Sequence, residues 1–379
     1  MAYEALPGCY LFEALRDRGC IILACNVRIT KGVLRGVFRA AKETDAAIII
    51  EMAKSECNQH TGYTGYRPRD YARVAYQTAA DVGCDVWALH ADHITVKKGT
   101  PDEIADTKEL ITEQIESGFT SFAIDASYLF NFNGKDEYEQ LLPNIEVTAE
   151  LATYIKGKMG DKPFGLEVEV GEIGKKDESG MVLTTPEEAV TFIRALKERG
   201  VEPQAIAVAN GSVHGNLYDE HGNPIPQLAI DIERTKAIAQ ALRDAGFGVR
   251  IAQHGITGTP LELIATRFPK GDIIKGNVGT MWQNIAWDVL KVFQPDLYQD
   301  IWNWTVSNYR KSGKKDVEVF GKNSKYAIKE FFGRIYSVDE GTERALEAAA
   351  FAEALKFIRA FSAEGTAETV RQYMKEKHL

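Results

Sequence analysis

The stretch Trp87-Ala88-Leu89-His90-Ala91-Asp92-His93 begins as an apolar, strand-like run and ends in three ionisable side chains. A strand apolar on both faces is buried on both, as in a parallel sheet covered by helices. A His-x-x-His pair flanking a carboxylate at its end reads in two ways. It is either a hydrogen-bonded cap or a place for a metal ion and a proton, since imidazole is a preferred zinc ligand and a neighbouring carboxylate moves protons. The chain has seven histidines, and two more stand in comparable places, each after an apolar run and before a glycine. They are His214 in Ala205-Ile206-Ala207-Val208-Ala209-Asn210-Gly211-Ser212-Val213-His214-Gly215, and His254 in Val249-Arg250-Ile251-Ala252-Gln253-His254-Gly255. Three such strands suggest one metal site; the alternative is three separately buried rings. His60, His221 and His378 are read as surface residues.

Outward from this stretch, apolar runs alternate with amphipathic helical stretches. The strands are expected at 20–26, 46–52, 85–90, 120–125, 164–170, 205–210, 249–253 and 272–277, with a short lead-in helix before the first. Eight strand–helix alternations favour a closed parallel (β/α)8 TIM barrel over an open sheet. Thr100-Pro101-Asp102-Glu103, Thr185-Pro186-Glu187-Glu188 and Thr259-Pro260-Leu261-Glu262 each read as a helix start, with a threonine cap, proline in the first turn and a glutamate reaching back. From about 285 the pattern is helical, with a charged break at 311–316 and an alanine-rich end at 341–376. The expected organisation is a barrel over 1–310 and a helical C-terminal extension over 311–379, packing on the barrel or on a partner subunit.

Composition narrows the function. With 379 residues, 45% hydrophobic and 26% charged, the chain has enough apolar content for a large core. A net charge of −9 without a basic stripe argues against nucleic acid as a partner. No apolar run approaches the roughly 18 residues of a membrane span, and no signal peptide is evident. Five cysteines without Cys-x-x-Cys spacing suggest reduced thiols and a cytoplasmic location.

Two further features carry chemistry. Alternation along Leu166-Glu167-Val168-Glu169-Val170 puts Glu167 and Glu169 on one face, towards the barrel interior. Two inward carboxylates repel unless a cation is near, so they read as a metal ligand, a brace for one, or a lysine-paired structural couple. Gly211, Gly215, Gly255, Gly258, Gly276 and Gly279 flank the ends of strands six to eight, where barrels commonly bind phosphate. Thr257, Asn277 and Thr280 are side-chain donors in the same loops.

Together these motifs resemble the class II, zinc-dependent fructose-bisphosphate aldolases. The resemblance rests on Leu89-His90-Ala91-Asp92-His93, on Ile124-Asp125-Ala126-Ser127, and on Glu167-Val168-Glu169-Val170-Gly171. It continues through Asn210-Gly211-Ser212-Val213-His214-Gly215, His254-Gly255-Ile256-Thr257-Gly258 and Lys275-Gly276-Asn277-Val278-Gly279-Thr280, covering about residues 20–285 in order. It implies a lyase that cleaves a ketose (bis)phosphate, foremost fructose 1,6-bisphosphate, to dihydroxyacetone phosphate and an aldehyde through a zinc-stabilised enediolate. By that likeness His93, His214 and His254 hold Zn2+, with Glu169 a ligand when the ion sits deeper. Asp92 exchanges a proton with the C4 oxygen. Asn26 and Asn277 contact substrate, and Gly215, Gly255, Thr257 and Thr280 hold its phosphate.

Several positions depart from the family pattern. The flexible loop after strand five, which carries the enediolate-forming base, reads Gly174-Lys175-Lys176-Asp177-Glu178, making Asp177 the expected base and Glu178 its rival. Both aspartates of Asn-x-Asp-Thr-Asp are missing from Asn277-Val278-Gly279-Thr280-Met281. A basic residue offered by a partner subunit to a distal phosphate is sought at Lys325 or Lys329, in a homodimer or homotetramer. The departures leave the metal and the aldol chemistry in place and the choice of ketose open. Two other readings share the barrel: a metal-dependent sugar isomerase or epimerase, and a non-catalytic metal-binding barrel. A site rich in histidine also accepts cobalt, iron or manganese.

Overall fold

The computed structural model describes residues 3–171 and 182–379, together with the backbone pairing of Lys176–Asp177 with Gly180–Met181. Eight parallel strands close a barrel: β1 Ile22–Cys25, β2 Ile48–Ala53, β3 Trp87–Thr95, β4 Ser121–Asp125, β5 Gly165–Val170, β6 Ala205–Val208, β7 Arg250–Gln253 and β8 Ile273–Val278. They pair in chain order and β8 returns to β1, so the expected (β/α)8 barrel with C-terminal helices is the fold. Outward side chains such as Ile50, Leu89, Phe122 and Val168 join one core with the surrounding helices. This explains why the strands read as continuous apolar runs.

The interior begins with small and aliphatic residues. Ile22, Ala24, Ala47, Ile49, Ala88, Ala205, Ala207 and Ala252 pack against Leu11, Phe12 and Leu15. Those three lie on the lead-in helix Gly8–Leu15, which docks across β3 and β5. Its first residue must be glycine, because a Cβ on Gly8 would lie 2.4 Å from Ser121 Oγ. Alanines inside the strands thus leave room that leucine and phenylalanine from the helix fill.

The C-terminal helices make contacts with the barrel of the same chain. Helix Glu340–Ala360 lies along helix Val33–Glu43, with Gly36 at the crossing: a Cβ there would meet Glu347 O at 2.4 Å. Lys31–Glu343 and Arg39–Glu347 pair across it at 2.6 and 2.7 Å. The alanine-rich end is helical as expected, in two helices, Glu340–Ala360 and Thr366–Lys377, interrupted at 361–365. The interruption has a use: Phe361 O accepts from Ile21 N, and Thr366 Oγ1 accepts from Ala47 N.

The repeated helix-start signature is complete only once. Thr185 and Glu188 form a reciprocal capping box. Thr100 caps its helix, but Glu103 turns instead to the loop amides of Lys97, Lys98 and Gly99. The third helix starts at Leu261 without a side-chain cap, and Thr259 Oγ1 is buried without a hydrogen-bond partner among the described residues. Among the described residues no helix is long and apolar enough to cross a membrane.

Candidate active site

The carboxyl ends of the strands carry the polar interior. On β3 the strand does not stop at His90 but runs on to Thr95, with its register against β4 shifted between Ala91 and Ile94. His93 sits in that irregularity at φ 41°, left-handed backbone that a non-glycine residue rarely adopts. The bulge lets neighbouring Asp92 and His93 both face the site.

His93, His214 and His254 come together, their nearest donor atoms within 4.8 Å of one another. His93 Nε2 faces His254 Nδ1 at 2.7 Å, and the His93 and His214 ring centroids are 5.3 Å apart. The far nitrogen of two rings is held by a carboxylate: His254 Nε2 lies 2.7 Å from Glu167 Oε1, and His93 Nδ1 3.1 Å from Glu169 Oε2. Carboxylate-oriented imidazoles converging on one point are the donor set a zinc-like ion takes, so the residues present fit a divalent transition metal. His93 also belongs to a second possible donor group with Asp125 and Glu169. Burial, and then Asp125, push the Glu169 carboxyl up to about 8.

Asp92 is clamped. Asn26 Nδ2 donates to its Oδ2 at 3.0 Å and Asn277 Nδ2 to its Oδ1 at 3.1 Å. Burial opposes charge on Asp92, but His93, Lys275 and His254 hold it well below the usual carboxylate range. Donation to Asp92 fixes the Asn277 amide, and its Oδ1 is buried without a partner among the described residues. Asn277 lines the pocket that also holds His93, His214, His254 and Asp92. Gly215, Gly255, Thr257 and Thr280 line the same pocket, with Gly215 and Gly255 at positive φ. Thr257 Oγ1 accepts from Met281 N, tying the loop after β7 to the start of the helix Thr280–Phe293 that follows β8.

Beneath the histidines lies a network the sequence did not reveal. Lys275 is fully buried, with Nζ 2.6 Å from Glu167 Oε2, 3.0 Å from Glu51 Oε2, 3.2 Å from His90 Nε2 and 3.9 Å from Asp92 Oδ1. Burial, and then Lys275 itself, lower His90 to about 3, so the ring is neutral. An ammonium only donates, so His90 Nε2 accepts and Nδ1–H donates to Ser121 Oγ at 2.7 Å. Glu167 is held down to about 2, burial notwithstanding, by Lys275 and His254, whereas burial and Asp92 raise Glu51. Of the three readings of the inward glutamates, Glu167 therefore combines two: it is lysine-paired and a brace for His254. Lone charges inside apolar strands, Glu51 after three isoleucines and Lys275 after two, were the available signal.

Arg28, Glu56 and Tyr63 also line the pocket, although none belongs to a motif in the sequence. Lys325, sought on a partner subunit, reaches the pocket of its own chain, while Lys329 is exposed. His60, His221 and His378 are exposed, as expected. Asp177 and Glu178 lie outside the described residues, apart from the backbone pairing at Asp177.

Comparison with known proteins converges on one family. The model described as fructose-bisphosphate aldolase class-II matches residues 9–336. The chain is 24% identical over 260 residues to the fructose-bisphosphate aldolase of Staphylococcus epidermidis, across 67% of this chain and 73% of that one. It is 33% identical over 110 residues to the D-tagatose-1,6-bisphosphate aldolase subunit GatZ of Salmonella choleraesuis, across 27% and 26%. In fold it resembles the crystal structure of the fructose-bisphosphate aldolase of Campylobacter jejuni, with a TM-score of 0.62, 18% identity and coverage of 96% and 97%. With that model matched over residues 9–336, the chain belongs to the class II fructose-bisphosphate aldolase family, and is a lyase.

Proposed function

We propose that the protein cleaves a ketose 1,6-bisphosphate, foremost fructose 1,6-bisphosphate, reversibly to dihydroxyacetone phosphate and an aldehyde, using a divalent ion and preferentially Zn2+. The observation that carries this is the convergence of His93, His214 and His254 beside the clamped Asp92. These three histidines would hold the ion, with Glu169 as a further ligand. The ion would supply positive charge where negative charge develops on the substrate oxygens.

The remaining chemistry falls to the chain's own groups. Asp92, ionised and fixed by two amides, takes the proton from the C4 hydroxyl. The freed O–H pair forms the aldehyde carbonyl, the C3–C4 bond breaks, and its electrons pass to the three-carbon fragment as an enediolate. Asn277 Oδ1, buried and without a protein partner among the described residues, accepts a hydrogen bond from a hydroxyl near C3. Asn26 lines the same wall. Gly215, Gly255, Thr257 and Thr280 receive the phosphate, and Asp177 is the residue we assign to protonation at C3.

The local likeness to the tagatose-bisphosphate aldolase subunit favours a second reading with tagatose 1,6-bisphosphate, which differs from fructose 1,6-bisphosphate only in configuration at C4. We further propose a cytoplasmic homodimer or homotetramer built from a 1–310 barrel and its 311–379 extension. Five unpaired, buried cysteines support a reducing compartment. The test is dihydroxyacetone phosphate release from both bisphosphates by metal-loaded protein, with and without chelator. Chelator-sensitive release from one is expected; no release from either would sink the proposal.

A further inference from the structure

Arg28 stands two residues beyond Asn26, and its guanidinium forms part of the pocket wall with the side chain 14% exposed. Nε donates to Glu56 Oε1 at 2.7 Å, while Nη1 meets Gln283 Oε1 at 3.2 Å and Thr280 Oγ1 at 3.4 Å. Nη2 faces Gly279: a Cβ on that glycine would lie 3.2 Å from it. Gly279 therefore leaves open the space into which this edge of the guanidinium looks.

Glu56 is already fully engaged. Besides Arg28 it accepts from Asn26 Nδ2 at 3.1 Å, Ala53 N at 2.9 Å and Tyr63 OH at 3.0 Å. So many donors spread its charge and make it a rigid brace. A second cation stands nearby. Lys325 Nζ is 5.6 Å from the centroid of the Tyr63 ring, and Arg28 Cζ is 5.8 Å from the same centroid. Among the described residues no carboxylate pairs with Lys325. Asp92 stands in the same wall but is held by Asn26 and Asn277, and among the described residues neither Arg28 Nη2 nor Lys325 Nζ makes a hydrogen bond, so both donors are left for an anion in the pocket.

We propose that Arg28, oriented by Glu56 and admitted by Gly279, is a substrate-binding residue that with Lys325 grips a phosphate of the ketose. This rests on the aldolase reading above and names what selects the substrate. Arg28 is a specificity determinant that touches the phosphate and takes no part in proton transfer.

The test is calorimetric titration of zinc-loaded protein with dihydroxyacetone phosphate, dihydroxyacetone and inorganic phosphate, for wild type, Arg28→Gln, Arg28→Lys and Gly279→Asp. Gly279→Asp keeps the arginine but puts a carboxylate beside Nη2. Zinc content and circular dichroism establish that each variant is folded. The expected result is a Kd for dihydroxyacetone phosphate raised by about 10–100-fold in Arg28→Gln and Gly279→Asp. Arg28→Lys should lie between them and wild type, and unphosphorylated dihydroxyacetone should bind more weakly than the phosphate ester throughout. KM for the bisphosphate should rise more than kcat falls. If Arg28→Gln does not fold, Gly279→Asp decides alone. Phosphate ester binding within about twofold of wild type in the folded variants would overturn the proposal. The aldolase reading fails separately, by absence of three-carbon product from wild type, and inorganic phosphate would still report on Arg28 in that case.

Discussion

The two halves of the barrel interior are built on the same strands with opposite chemistry. On β2 the inward residues pass from Ala47 and Ile49 to Glu51, and on β3 from Ala88 to His90 and Asp92. The amino-terminal half is an apolar layer closed by Leu11, Phe12 and Leu15. The carboxyl-terminal half holds Glu51, His90, Asp92, Glu167, Glu169, His254 and Lys275, all buried. One half stabilises the fold by removing apolar surface from water. The other sets charged groups in a dry interior, tolerable because each has a partner and useful because the partners fix donor atoms.

The largest effect should come from cutting the ionic half at its centre. Lys275→Met leaves Glu167 and Glu51 buried without their cation, and should lower unfolding free energy by about 3–5 kcal/mol in urea denaturation. It should also disorder His254, the ring that Glu167 orients, and so weaken zinc binding. A loss below about 1 kcal/mol would mean that the network is not held by its charge. Asp92→Asn removes the proton acceptor and keeps the shape. Cleavage should fall by roughly 10²–10⁴-fold in kcat while zinc stoichiometry, read by atomic absorption, stays unchanged.

The apolar half should behave in the reverse sense. Leu15→Ala should lower stability by about 2–5 kcal/mol, yet leave zinc affinity and KM at their wild-type values. A shift in KM would show that the two halves are coupled. The smallest effect belongs to the rim of the amino-terminal half, where Arg371 binds Asp85 with two bonds of 2.8 and 2.9 Å. That hydrogen-bonded pairing, against partial burial, lowers the Asp85 carboxyl. A carboxyl lower in the folded than in the unfolded chain stabilises above its unfolded value, about 3.9, and loses that contribution as pH falls through the folded one. Arg371→Ala should therefore cost at most about 1 kcal/mol at pH 7, given the solvent exposure, and progressively less in acid. Urea midpoints at both pH values measure the difference.

The same contrast explains what was legible. All eight strands could be read because strands buried on both faces write unbroken apolar runs. The three histidines could be joined because a barrel brings strand ends together whatever their separation in sequence. The Lys275 network could not, since Lys275 and Glu51 are 224 residues apart and meet only through strand register. Arg28 belongs to no motif, and its place depends on Glu56 and Gly279 at once. The bulge at His93 left no trace in residue types, nor did the failed cap at Thr259, where a tertiary position overrides a local signature.

The most direct test is a titration of metal-stripped protein with zinc, following dihydroxyacetone phosphate release from the faster bisphosphate. Release should rise in proportion to bound zinc and level off at one ion per chain, and His254→Ala should show neither binding nor release. Zinc saturation without release, or release that survives chelation, would contradict the claim that these histidines hold the ion that cleavage requires.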